Sequence, residues 1–197
     1  TIRGCPFNCT FCLNHNGRVA RKRSVDKVIQ EMEWLIEEFK PKRISFGDEL
    51  FSVDMKRTEE LLDAMIERKI GERVSWDIQT HVAFVNDTLL KKMKQANMSR
   101  IWMGVESGDD NTLKKMGKGN NTARIIKAFK TAHKFGLNTG SFFIIGQPNE
   151  THRTIWKSFS LAIKINPNEP MFGTMVPYPG TEISKLAANN EAGYKLI

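Results

Sequence analysis

Three cysteines, Cys5, Cys9 and Cys12, fall in the run Gly4-Cys5-Pro6-Phe7-Asn8-Cys9-Thr10-Phe11-Cys12, and the chain holds no others. A 4Fe–4S cubane is normally held by four thiolates, so three leave one iron open to a substrate or cofactor. A zinc reading needs a fourth ligand, which His15, three residues beyond Cys12, could supply as a Cys3His set. Structural zinc hairpins usually offer two separated ligand pairs, whereas here all the sulfur lies in one tight loop. Disulfide scaffolding fits worse still. An odd cysteine count and no signal-peptide pattern point to a reducing, cytoplasmic compartment.

The elements that must position this loop follow from hydrophobic periodicity. Val25, Val28, Ile29, Met32, Leu35, Ile36 and Phe39 recur at helical spacing, predicting an amphipathic helix capped by Ser24 and stopped by Pro41. A strand at Arg43–Phe46 and a helix from Asp54 to Ile70, closed by Gly71, come next. The alternation continues with strands at Val74–Gln79, Arg100–Val105, Thr139–Ile145 and Met171–Val176. Between them lie helices at Asn86–Gln95, Thr122–Phe135 and Thr151–Ile165, with Pro167 as the last helix stop. Regular strand-helix alternation implies βαβ units around a parallel sheet. Every later loop of this kind follows a strand, so Thr1-Ile2-Arg3 reads as the end of a truncated first strand in a fragment of a longer protein. The Gly- and Asn-rich stretch Met116–Asn121 reads as a surface loop.

With 197 residues and 40% hydrophobic content, the chain is long enough for one domain spanning 1–197. Such a chain buries roughly 70% of its unfolded surface without staples. No apolar run approaches the roughly 20 residues of a membrane span. The net charge of +8 has one dense source, Arg18, Arg21, Lys22 and Arg23. A nucleic-acid footprint would need a continuous basic face; elsewhere Lys and Arg alternate with acids, as on solvated helices.

Parallel αβ architectures place their sites at the carboxyl ends of the strands. The residues there are polar: the cysteines, Gly47-Asp48-Glu49, Gln79-Thr80-His81, Glu106-Ser107-Gly108, Gly146-Gln147-Pro148 and Pro177-Tyr178-Pro179-Gly180-Thr181.

The C-x3-C-x2-C spacing, with Phe11 before the last cysteine, resembles the cluster loop of the radical S-adenosylmethionine (radical SAM) enzymes. Gly104-Val105-Glu106-Ser107, Ile144-Ile145-Gly146-Gln147-Pro148-Asn149-Glu150-Thr151 and Pro177–Thr181 resemble later segments of the subgroup that includes cobalamin-associated members and methylthiotransferases. The resemblance spans essentially the whole chain. It implies a partial (β/α)6 TIM-like barrel, a 4Fe–4S cluster on Cys5, Cys9 and Cys12, and S-adenosylmethionine on the open iron.

It also implies that Phe11, Gly47, Asp48, Glu49, Glu106, Ser107, Ile144, Gly146 and Tyr178 bind the cofactor. Asp48 or Glu49 would take the ammonium, Glu106 the ribose hydroxyls or methionine end, and Ile144 the adenine. Glu150 and Thr151 read instead as helix N-terminus signals. His81 stands where relatives often place Arg, so no arginine role transfers to it. Lys118 and Arg124 are the candidates for the methionine carboxylate. A one-electron donor such as flavodoxin or ferredoxin, an unidentified substrate, and cobalamin held by a domain absent from this chain complete the implied system. The rival readings are a methylthiotransferase core acting on tRNA or protein, a noncatalytic cofactor-binding scaffold, and a zinc-stabilised basic nucleic-acid-binding module.

Overall fold

The first long helix, α1 (Val25–Phe39), buries Val28, Ile29, Met32 and Ile36, the stripe that its periodicity demands. Ser24 occupies the N-cap position without a side-chain cap bond, and Lys40, in the left-handed conformation, closes the far end just before Pro41. The computed structural model describes residues 1–194. A five-stranded sheet of β3 (Arg43–Ser45), β4 (Ser75–Thr80), β5 (Met98–Glu106), β6 (Asn138–Ile145) and β7 (Glu169–Thr174) runs in sequence order, with every pair parallel. It curls into a half-barrel. The helices are α1, α2 (Met55–Glu67), α3 (Ile70–Arg73), α4 (Asp87–Gln95), α5 (Asp110–Lys115), α6 (Thr122–Lys134), α7 (His152–Ile165) and α8 (Glu182–Ala188).

Between sheet and helices the core is dense. Trp76 is fully buried on β4, with Phe46 edge-on at 5.7 Å and Phe51 tilted at 5.9 Å, and its indole N–H donates to the Ala96 carbonyl at 2.6 Å. A buried Trp needs that partner, because an orphaned N–H would forfeit much of what its apolar area contributes.

The expected elements shift in places, each for a local reason. Ile2–Arg3 does not join the parallel sheet: as β1 it pairs antiparallel with β2 (Arg21–Lys22) in a separate ribbon. The sheet therefore has five strands rather than the six that strand counting gave, while β1 and β2 form the neck of the cysteine loop. The helix expected over Asp54–Ile70 breaks at Lys69, which turns left-handed (φ 53°) and starts α3. Gly71 lies within α3, where a Cβ would sit 2.7 Å from the Ala96 carbonyl oxygen. Asn166 (φ 45°), not Pro167, ends α7. The last strand begins at Glu169, earlier than hydrophobicity suggested, and includes Pro170. Proline is tolerated because β7 is an edge strand. The strand-end helices α5 and α8 carry too few apolar positions to declare themselves by periodicity.

Candidate functional site

The cysteine loop is fixed from three directions. At its neck the Cys5 N–H donates to the Gly17 carbonyl (3.1 Å), and the Asn14 amide donates to the Cys5 carbonyl (3.0 Å). Gly4 adopts φ 93°, and a Cβ there would lie 2.4 Å from the Val19 carbonyl oxygen, so only glycine lets the two arms close. From the sheet, Glu49 accepts the Gly4 N–H at 2.6 Å. From distant sequence, the Thr10 N–H donates to the Met116 carbonyl (3.0 Å), and the Ile183 N–H donates to the Thr10 carbonyl (3.4 Å).

Cys5, Cys9 and Cys12 then line one cavity of about 180 Å³, together with Phe7, Phe11, Glu49, Leu50, Gln79, Thr80, His81, Trp102, Gly104, Glu106, Lys118 and Phe142. Among the described residues no three His, Cys, Asp or Glu side chains gather closely enough for a single metal ion, and His15 is exposed and does not line the cavity. A zinc set of Cys3His is therefore not assembled. The three thiols line one cavity. Burial pushes the Cys9 thiol up to about 11 against the pull of the Lys118 ammonium, so metal binding must displace a proton from it.

Opposite the cysteines stands a buried ion pair. Glu106 ends β5 with φ 67°, and the Ser107 N–H donates back to the Val105 carbonyl at 2.9 Å across it. The β5–β6 register shifts between Gly104 and Glu106. A bulge of this kind re-aims a side chain. Here the carboxylate swings back over Gly104 and meets Lys118 Nζ at 2.7 Å, with side-chain exposures of 12% for Lys118 and 6% for Glu106. A Cβ on Gly104 would lie 2.3 Å from Glu106 Oε1 and 2.6 Å from Lys118 Nζ, so the glycine is the floor beneath the pair. Burial works against the charged form of Lys118, yet Glu106, with Cys9, holds its pKa above the ordinary value.

The structure separates the expected site residues into two groups. Phe11, Glu49 and Glu106 line the thiol cavity. Ile144 lines a more open hollow of about 390 Å³ with Phe143, Met171, Phe172 and Gly173, and this hollow shares Gln79, Glu106 and Phe142 with the first. The others face elsewhere. Gly47 lines neither hollow, and Asp48 is buried where it accepts from the Thr1 hydroxyl and backbone nitrogen, so of the adjacent acids only Glu49 reaches the cavity. Ser107 is buried, and its hydroxyl accepts the Asp109 N–H at 3.2 Å. Gly146 (φ 94°) donates to Glu150, which binds Gly146 and Gln147 rather than the first amides of α7; Thr151 is the cap there. Tyr178 is exposed, and its loop packs on the cysteine loop, a Cβ on Gly180 lying 3.6 Å from Leu13.

Arg124 is exposed and donates to the Gly119 carbonyl, leaving Lys118 as the cavity cation. The stretch Met116–Asn121 is not merely a surface loop, since it walls the cysteine loop and supplies Lys118. Sequence reasoning passed over Phe7, Trp102 and Phe142. Trp102 and Phe142 stack at 5.0 Å, and Trp102 lies so flat on β6 that a Cβ on Gly140 would come within 2.0 Å of its ring. A glycine inside a strand is the signal that could have found this close approach. In the basic cluster, Lys22 pairs with Asp54 and Arg23 with Glu31, which neutralises part of the patch.

A family model described as the Radical SAM superfamily matches residues 1–162. An uncharacterized methyltransferase, PH0819, from Pyrococcus horikoshii is 36% identical, over 96% of this chain and 42% of its own length. The anaerobic magnesium-protoporphyrin IX monomethyl ester cyclase of Cereibacter sphaeroides is 29% identical, over 92% of this chain and 30% of its own length. The chain thus spans less than half of either relative. Among solved structures, the radical S-adenosylmethionine methyltransferase TsrM from Kitasatospora setae, with cobalamin and a [4Fe-4S] cluster bound, superposes with a TM-score of 0.88 at 16% identity, covering 96% of this chain and 36% of that one. At that identity the likeness concerns the fold.

Proposed function

The chain belongs to the radical SAM superfamily, and from that premise we propose that its strand-end cavity holds a 4Fe–4S cluster on Cys5, Cys9 and Cys12 and S-adenosylmethionine against Glu49, Lys118 and Glu106, in the service of methyl transfer to an unidentified substrate. One observation carries the proposal: three thiols, a free-facing carboxylate and a buried ammonium line a single cavity. When bound, the cluster supplies an electron to the sulfonium and the cofactor supplies a 5′-deoxyadenosyl radical. The chain's residues bind and orient.

Glu49, which lines the cavity, accepts the α-ammonium while its other contact holds Gly4. Lys118 has three N–H donors and directs one to Glu106, leaving others for the methionine carboxylate. Glu106, acceptor-only when ionised, holds Lys118 and faces the ribose hydroxyls. Phe142, Ile144 and Phe172 in the adjoining hollow give the adenine an apolar surface. Cobalamin would be held by a part of the protein outside this chain, a reading that the cobalamin-bound TsrM structure supports. Flavodoxin or ferredoxin would deliver the electron, in the cytoplasm. Among the described residues no helix is long and apolar enough to cross a membrane.

Chromatography of a dithionite-reduced, cluster-reconstituted reaction tests this. Slow release of 5′-deoxyadenosine without substrate is expected, because an uncoupled radical is quenched by buffer or protein hydrogens. None, despite bound cluster and cofactor, would favour the noncatalytic scaffold. Glu49→Gln should retain the cluster and weaken cofactor binding, because a charge-assisted bond is worth about 1.5–3 kcal/mol. That is a roughly 10- to 150-fold rise in Kd. Unchanged calorimetric binding would move the ammonium site elsewhere.

A further inference from the structure

His81 stands just past the end of β4, 4% exposed, and three separate parts of the chain meet on it. The Phe7 ring from the cysteine loop stacks on the imidazole at 4.5 Å with 24° between planes. The Ala83 N–H donates to Nδ1 at 3.1 Å, and Nε2 lies 2.8 Å from the Lys118 carbonyl oxygen. An amide N–H can only donate and a carbonyl can only accept. Nδ1 must therefore be bare and Nε2 protonated, which fixes one neutral tautomer.

The Lys118 N–H donates to the Leu113 carbonyl at 3.3 Å, and His81 supplies the second tie, at the Lys118 carbonyl. The neighbours of Lys118, Gly117 (φ 65°) and Gly119 (φ 69°), both adopt left-handed backbone, which favours glycine, and at Gly117 the cysteine loop is also too close for a side chain. A Cβ on Gly117 would lie 2.7 Å from the Asn8 carbonyl oxygen, and one on Gly119 would lie 3.6 Å from the Phe7 ring. Glycines on both sides give the Lys118 backbone more freedom than any other residue pair would. Among the described contacts, the His81 bond is the one that holds the Lys118 carbonyl.

On the proposed reading of the cavity, we propose that His81 is a positioning residue for cofactor binding: it locks the glycine-flanked turn at Lys118 to the cysteine loop, and thereby sets where the Lys118 ammonium stands. Its effect passes through Lys118, whose side chain reaches Glu106 only from a fixed backbone. The neutral state persists at physiological pH, since burial and then the Lys118 charge push His81 down to about 4.

Two substitutions separate the contacts. His81→Phe keeps a flat ring for Phe7 but removes both hydrogen bonds; His81→Gln keeps one acceptor and one donor. With anaerobically reconstituted protein, iron and sulfide are assayed, and S-adenosylmethionine affinity is read by calorimetry together with the change it causes in the electron paramagnetic resonance of the reduced cluster. His81→Phe is expected to keep its iron while its Kd rises roughly 3- to 10-fold, as for a lost hydrogen bond. His81→Gln is expected to recover most of the affinity. In a Lys118→Met background the His81→Phe change is expected to add nothing, because the residue through which it acts is gone. Wild-type affinity and spectrum in His81→Phe, or a full additional loss in the Lys118→Met background, would overturn the inference alone. Loss of iron from both His81 variants would assign His81 to cluster-loop folding and overturn it as well. A wild-type protein that binds no cofactor would remove both this inference and the function on which it rests.

Discussion

Anaerobic reconstitution is expected to give a brown protein with about four iron and four sulfide per chain, and Cys5→Ala, Cys9→Ala and Cys12→Ala are each expected to lose them. The effect is large because the chain has no substitute thiol. Cys5 and Cys9 are half-buried and Cys12 is exposed, all on the same loop. The loop's backbone contacts to Gly17, Met116 and Glu49 do not involve sulfur, so the fold should survive each change. Elemental analysis and visible absorbance read the result. Normal iron and sulfide in the triple variant would end the cluster reading.

The second large effect concerns Lys118. Lys118→Met leaves the Glu106 carboxylate buried without its cation, and breaking one side of a buried pair costs about 3–5 kcal/mol. Urea unfolding should show that loss, and cofactor binding should fall with it. Adding Glu106→Gln removes the stranded charge, so the double variant should regain much of the stability while binding stays impaired. A single variant as stable as the wild type would mean that Glu106 reaches water or is protonated when alone.

Much of the architecture was legible because one physical signal carries it. Helices that pack one face on a sheet must repeat apolar residues at helical spacing, and α1, α6 and α7 do. The strand ends were legible as polar interruptions after apolar runs. The ribbon of β1 and β2 was not, since two-residue strands have no period to read. Asp48 and Glu49 could not be told apart, because consecutive side chains point to opposite sides and sequence does not say which side is the cavity. The pairing of Glu106 with Lys118 depends on a positive φ at a non-glycine residue, a rare conformation that propensity does not forecast. Ser107, Gly146 and Tyr178 carried the family pattern; the structure places Ser107 and Gly146 in turn hydrogen bonds and Tyr178 on an exposed loop, none of them on the lining of the thiol cavity.

The bond between Thr10 and Met116 has a consequence in time. It joins the thiol loop to residues made about a hundred positions later, and Ile183 adds a still later tie, to the carbonyl of Thr10 rather than its N–H. Contacts so distant in sequence form late, because closing the intervening loop costs entropy before the contact rewards it. A nascent chain that has exposed only its cysteines has sulfur but no walled site. On the proposed cluster reading, the walled cavity that would receive iron forms only once the half-barrel has folded, and metal met earlier on the ribosome would find three unorganised thiols.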